Sequence, residues 1–292
     1  MSIHPSAIVD PTAQLGRDVE IGPFAMVEAG AKIGDRCKLG PRSTVKSGTT
    51  LGCDNSLYEG AVLGGLPQLA APTGPPGKLI VGDRNVFREN VTVHLAMTEK
   101  GVTRIGNDCL LMVASHVAHD CVVADRVIMT NNVMLGGHVT VGERAFLGGG
   151  SAVHQFCRIG RIAMVGGMAR IVQDVLPFVT IDGDSGDVVG LNRVGLRRSG
   201  MSRHEMADIK EAYRIIYRSG ESFVERLAML SERFQEGPAA ELEPFLRDTS
   251  RGYVRERRSP PGGTIRVMDD AMDDAADAPS EMTEQKTKRR AG

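Results

Sequence analysis

The chain has 292 residues, with 35 basic and 36 acidic side chains and a net charge of −1. That balance gives no general attraction to nucleic acid or to an anionic membrane surface, and no apolar stretch approaches the ~20 residues of a membrane-spanning helix. Gly numbers 35, Trp is absent and aromatics are 4%, a composition suited to a thin, tightly wound core that has no room for large rings.

The first element begins almost at once. From Ile3 to Ile171 an apolar residue recurs at every sixth position in a single phase: Ile3, Val9, Leu15, Ile21 and on to Leu63, then Val81, Phe87 and Val93, then Ile105 through to Ile171. Neither a 3.6-residue helix nor a period-2 strand gives this spacing. A hexapeptide repeat does, and it winds a parallel β-helix. Four residues after each anchor the side chain is small or β-branched, as at Ala7, Ala13, Cys37, Ser43, Cys109 and Cys121. Gly often follows the anchor, as at Gly16, Gly34 and Gly106, where it is expected to relax the backbone at the turns. Three six-residue sides make one coil, so residues 18 apart stack. The run predicts ~9 coils, each ~4.8 Å above the last.

Four of the five cysteines (Cys37, Cys109, Cys121 and Cys157) fall in the small inward column, and none forms a C-x-x-C pair. Buried reduced thiols are expected. The repeat starts at residue 3 and leaves no room for a signal peptide, so a cytoplasmic protein without stable membrane insertion is expected. Two interruptions, 64–80 and 94–104, are rich in Pro and Gly or in polar residues. They are read as loops thrown out from a continuing coil, where function concentrates.

Beyond the second loop come His116, His119, His138 and His154, none at an anchor position. His119, Gly137 and Gln155 are spaced by 18 and form one column; Asp120 and His138 form the next. The group spans about three coils, ~10 Å along the axis. Histidines on a trimeric β-helix can hold zinc, as in the gamma-class carbonic anhydrases. That class carries a pair five residues apart, whereas His116 and His119 are three apart and point to opposite faces unless a corner lies between them. No metal is assigned. A general base fits better: Asp120 would fix the tautomer of His119, whose other ring nitrogen could deprotonate a hydroxyl. Gly137, one coil on, could offer a backbone N–H to an oxyanion.

The repeat fades near Pro177. A mainly β domain, 1–190, is therefore expected to pass into a C-terminal α-helical subdomain, 191–257. Ser202 and Glu205 make a capping box before the apolar stripe Ile209, Ala212, Tyr213, Ile216 and Tyr217. Two more helices are predicted over 222–234 and 239–249. The tail, 258–292, has Pro-Gly, Asp-rich and Lys/Arg-rich runs and is expected to be disordered.

The segments LLMVASHVAHDCVV, LGGHVTVGERAFLGGGSAVHQFCRIG and MVGG, with GLNRVGLRRSGMSR and Thr249-Ser250-Arg251-Gly252 further on, are similar to the bacterial UDP-N-acetylglucosamine O-acyltransferases of lipid A biosynthesis. The likeness covers residues 1 to about 257. It implies a left-handed coil and a homotrimer with active sites between subunits. It also implies transfer of a 3-hydroxyacyl chain from the phosphopantetheine of acyl carrier protein to the 3-hydroxyl of UDP-N-acetylglucosamine, with no further cofactor and no nucleic-acid partner. His119 matches the family's base, Asp120 its partner and Gly137 the oxyanion amide. Gln68, His116, His138, His154 and Gln155 match residues lining the sugar-nucleotide and acyl pockets. Asn192 and Arg198 match residues near the diphosphate, where a guanidinium pairs well with phosphate oxygens. Gly167 matches the residue that closes the acyl groove, which a glycine would leave open to long chains.

The chain departs from the family after Gln68. Leu69-Ala70-Ala71 replaces the acidic residue and lysine that contact the sugar, and Val194 and Ser199 are uncharged where relatives carry Glu and Arg. Two alternatives stay open on that account: a different acceptor such as a 3-amino sugar, or a non-catalytic paralogue that binds nucleotide sugar.

Overall fold

The computed structural model describes residues 1–71 and 74–257; the tail 258–292, expected to be disordered, lies outside them. The parallel strands are two to four residues long, and each ends on or near an anchor. In Glu20–Ile21, Met26–Val27 and Lys32–Ile33 the first residue is exposed and the second, the anchor, is buried. These three neighbours in sequence belong to three different sheets, of eleven, nine and eight strands. Each strand pairs with the one 18 residues on, as in Ile21↔Leu39, Val27↔Val45 and Ile33↔Leu51. The coil is thus a three-sided prism filled by one continuous apolar column, and the nine-stranded face agrees with the expected number of turns. Ile3, an anchor expected inside, is 40% exposed because no coil lies beneath the first one.

The turns are built differently from the expectation. Except for Gly64 at the first loop, the glycines that follow the anchors are not in the left-handed region; that conformation falls three residues after the anchor, at Asp18, Arg36, Asp54, Asp120, His138 and Phe156 among others. The glycines answer a packing demand instead. A Cβ on Gly34 would run into the Gly52 carbonyl of the coil above. Four cysteines are buried and free, as expected, and burial pushes the Cys109 and Cys121 thiols up to about 11 and about 12.

Both insertions stay in register with the coil. Pairing widens to Ser56↔Val86 and Val86↔Leu110 across them. The first loop leaves after Val62–Gly65 and returns at Lys78–Val81; the second leaves after Thr92–His94 and returns at Val102–Ile105. A bulge after Leu63 lets Gly65 pair with His94, so the two loops spring from adjacent points.

The coil ends in an antiparallel pair, Val179–Ile181 with Val188–Leu191. Helix α1 (Arg193–Arg198) follows, then α2 (Arg203–Arg218), α3 (Phe223–Arg233), a 3-10 turn at Pro238–Glu241 and α4 (Leu242–Arg247). The Ser202–Glu205 capping box is present on α2, and Ser222 with Glu225 makes a second on α3. Helix α1 had no sequence signal. The third predicted helix is split, with Pro238 opening a 3-10 turn ahead of α4. Asp174, 1% exposed, ties the helices to the coil by accepting from Arg158 and from Thr249 Oγ1 at 2.8 and 2.9 Å. Met1–Arg257 is one compact unit.

Candidate active site

His116–Val117 is a strand of the nine-stranded face. The chain then turns a corner, with Asp120 in the left-handed region at φ 60°. That corner resolves the parity problem of His116 and His119, because they no longer share one straight strand. It also swings the Asp120 carboxylate back beside its neighbour. Asp120 Oδ2 lies 2.8 Å from His119 Nδ1 and accepts the Met97 N–H at 2.9 Å. The Asp120 N–H donates to Thr103 Oγ1 at 2.8 Å. The second loop therefore holds the Asp120 carboxylate, and the strand that follows it holds the Asp120 backbone N–H. A carboxylate only accepts, so Nδ1 carries a proton, and it is Nε2 that offers the lone pair whenever the ring is neutral.

That Nε2 faces the next coil. A Cβ on Gly137 would lie 2.6 Å from His119 Cε1 and 2.8 Å from Nε2, so only glycine permits the stack. The Gly137 carbonyl accepts the Phe156 N–H at 3.0 Å, while the Gly137 N–H has no backbone partner among the described residues. The expected column of His119, Gly137 and Gln155 is thus present, with an open amide beside the candidate base. In the adjoining column the His138 ring stands edge-on to His119 at 5.2 Å and stacks flat on Phe156 at 4.6 Å and 8°. Its Nε2 lies 3.9 Å from Asp120 Oδ2.

On the other side, His116 Nδ1 bonds Thr92 Oγ1 at 2.8 Å and its ring meets His94 edge-on at 4.9 Å and 84°. His94 is 8% exposed and its Nδ1 is buried without a partner. Burial first, then His116 and His119, lowers its pKa to about 4. Burial also lowers that of His116. These two rings are neutral at physiological pH.

His154, Gln155 and Gln68 are exposed, and His154 Nδ1 lies 3.1 Å from the Gln155 carbonyl oxygen. Gly167 lies against the Gly149 backbone, which a Cβ would meet at 3.3 Å. Asn192 is the N-cap of α1: its Oδ1 accepts the Gly195 N–H at 2.9 Å and its Nδ2 donates to the Ile162 carbonyl at 2.8 Å. Arg198 is exposed in the last turn of α1. Among the described residues, no hydrogen bond, ion pair or ring contact joins Gln68, His154, Gly167, Asn192 or Arg198 to the His119–Asp120 pair. Sequence reasoning missed Thr92, His94, Met97, Thr103 and Phe156. The 18-residue arithmetic would have reached Phe156 from His138. It fails for Thr92, His94 and Met97, because Thr92 and His116 are 24 apart across the second loop, and Thr103 lies 17 residues from Asp120, one column off the stack.

An imidazole oriented by a carboxylate and stacked on a glycine whose N–H has no backbone partner among the described residues, all on a hexapeptide coil, defines an acyltransferase of the hexapeptide-repeat class. Residues 12–47 match the family described as bacterial transferase hexapeptide (six repeats), and residues 174–254 match that described as UDP N-acetylglucosamine O-acyltransferase, domain 2. The acyl-(acyl-carrier-protein)–UDP-N-acetylglucosamine O-acyltransferase of Herminiimonas arsenicoxydans is 45% identical over 259 residues, covering 87% of this chain and 99% of that one. Its counterpart from Anaeromyxobacter sp. (strain Fw109-5) is 45% identical over 257 residues, covering 87% and 100%. The crystal structure of the Moraxella catarrhalis UDP-N-acetylglucosamine O-acyltransferase superposes with a TM-score of 0.84 at 39% identity, covering 87% of this chain and 100% of that one. The Francisella novicida UDP-N-acetylglucosamine acyltransferase gives 0.84 at 30% identity, covering 88% and 95%. The chain belongs to the UDP-N-acetylglucosamine O-acyltransferase family. Its left-handed parallel β-helix with a C-terminal helical subdomain is that family's fold.

Proposed function

We propose that the chain transfers a 3-hydroxyacyl group from acyl carrier protein to the 3-hydroxyl of UDP-N-acetylglucosamine, in lipid A biosynthesis. The observation that carries this is the His119–Asp120 pair held at 2.8 Å, with the Gly137 amide beside the free ring nitrogen. His119 Nε2 takes the proton of the sugar hydroxyl as its oxygen attacks the thioester carbonyl. Asp120 stabilises the resulting imidazolium through Nδ1–H. The carbonyl oxygen gains negative charge within reach of the Gly137 N–H. When the tetrahedral intermediate collapses, the proton passes from His119 to the departing pantetheine thiolate. The acyl group arrives on the carrier, so the scheme needs no resident cofactor.

The same reading makes the protein a cytoplasmic homotrimer. Two observations support the trimer. The nine-stranded face that carries His116 also exposes Ile8, Met26 and Met134, at 63, 40 and 48%. Asn192 and Arg198 stand apart from His119 within one chain, as residues of a site shared between subunits would. No helix among the described residues is long and apolar enough to cross a membrane.

The deciding experiment compares turnover on UDP-N-acetylglucosamine with turnover on its 3-amino analogue. The parent sugar is expected to be preferred despite Leu69 and Ala71; preference for the amine overturns the acceptor. His119→Ala is expected to lower kcat by ~10²–10⁴-fold, the usual worth of a general base. Unchanged turnover in that variant overturns the mechanism.

A further inference from the structure

The donor atoms of His119, Asp120 and His138 all lie within 4.8 Å of one another. His119 Nδ1 is 2.8 Å and His138 Nε2 is 3.9 Å from the same oxygen, Asp120 Oδ2. Two donors that each bind zinc at ~2.0–2.1 Å in a tetrahedron stand roughly 3.3–3.4 Å apart. The two separations from Asp120 Oδ2 bracket that span, and the ring nitrogens stand within 4.8 Å of each other, so the rings have to close toward the oxygen to complete the tetrahedron. The pieces are also held in advance. Asp120 is fixed by Met97 and Thr103, and the His138 ring lies flat on Phe156. We infer that this triad is a site for a zinc-like divalent cation, held by His119 Nδ1, Asp120 Oδ2 and His138 Nε2 with solvent in the fourth position, and that filling it stops acyl transfer.

Two imidazoles and one carboxylate select borderline cations such as Zn2+ and Co2+ over Mg2+, which demands an oxygen octahedron. The conflict with catalysis is atomic. The cation replaces the Nδ1 proton, which leaves to solvent. It then holds positive charge on the ring that must accept a proton at Nε2, and it occupies the carboxylate that would have stabilised the imidazolium. Binding and turnover are therefore mutually exclusive at one histidine. The inhibition half of this inference rests on the acyl-transfer reading; the binding half does not.

The test uses the full chain freed of metal by a chelator. Zn2+ is titrated by calorimetry and Co2+ by its visible absorption, with turnover followed in parallel. One ion per chain is expected, with an intense visible cobalt band of low coordination number. Turnover is expected to fall in step with occupancy and to return with chelator, and Mg2+ is expected to give neither signal. His138→Asn and Asp120→Asn are expected to weaken zinc binding at least tenfold. Asn tolerates the left-handed backbone found at both positions, so the coil keeps its turns. His154→Gln, outside the triad, is expected to bind as the wild type does. Equal zinc affinity in wild type and His138→Asn overturns the site, and full occupancy with undiminished turnover overturns the inhibition. If the metal-free enzyme does not acylate UDP-N-acetylglucosamine at all, the functional proposal fails, while the titrations still decide the site.

Discussion

At the scale of single residues, the site depends on close approach as much as on donors and acceptors. Gly137 is not in the left-handed region, so alanine there keeps its backbone, but the new methyl would overlap the His119 ring. Gly137→Ala is expected to displace the imidazole and cost ~10²-fold in kcat, the usual penalty for misplacing a reacting group by about 1 Å, with little change in melting temperature. His94 gives a second expectation. Above pH 6.5 its ring is neutral in both folded and unfolded chains, and it adds no pH dependence. Between pH 6.5 and 4 the unfolded chain takes up a proton that the folded chain, with a pKa of about 4, refuses. Stability therefore falls across that window, by at most about 3 kcal/mol. His94→Gln is expected to make the fall in urea midpoint shallower over the same range. The stacked column of His119, Gly137 and Gln155 was legible because the 18-residue spacing is a property of the chain alone. His94 was not, because it sits where the second loop leaves the coil and no periodicity passes through it.

At the scale of elements, the hexapeptide anchors specified the strands so completely that sheet membership could be counted off the chain, while the turns could not. Their left-handed corner accepts Asp, Arg, Phe, His and Met alike, so no residue type announces it. Helix α2 was legible from its capping box and apolar stripe. Helix α1 was hidden because it is six residues long and its cap, Asn192, looked like a ligand for the nucleotide. The acyl groove that the family likeness implies would run along the stacked strands. A Cβ on Gly167 meets only the Gly149 backbone within 4 Å, at 3.3 Å to O and 3.8 Å to N. Wild type is expected to prefer long 3-hydroxyacyl donors, and Gly167→Met to reverse that order in a series of carrier-protein thioesters. Met168, which is 77% exposed, lies next along the chain. A wild-type preference for short donors would make that residue the stop.

At the scale of the whole molecule, light scattering is expected to give three times the chain mass, and replacing Met134 by a charged residue is expected to lower it. A monomer with full turnover would remove the shared site. The two loops and the helical cap interrupt an otherwise strictly stacked object in which each coil rests on the one before. That stacking limits how such a gene can change length. Adding or deleting a single residue within the wound region between His119 and Gln155 would turn everything downstream by one column. The open amide would slide out from beside the base, and inward side chains would face solvent. Only whole coils, or lengths absorbed where the chain leaves the prism, preserve the alignment. The two loops, which lengthen the pairing interval to 30 and 24 residues and then return to 18, are the places where this lineage can gain or lose sequence. A chimera that exchanges them between relatives should be far better tolerated than one with a crossover that breaks the count inside the coil.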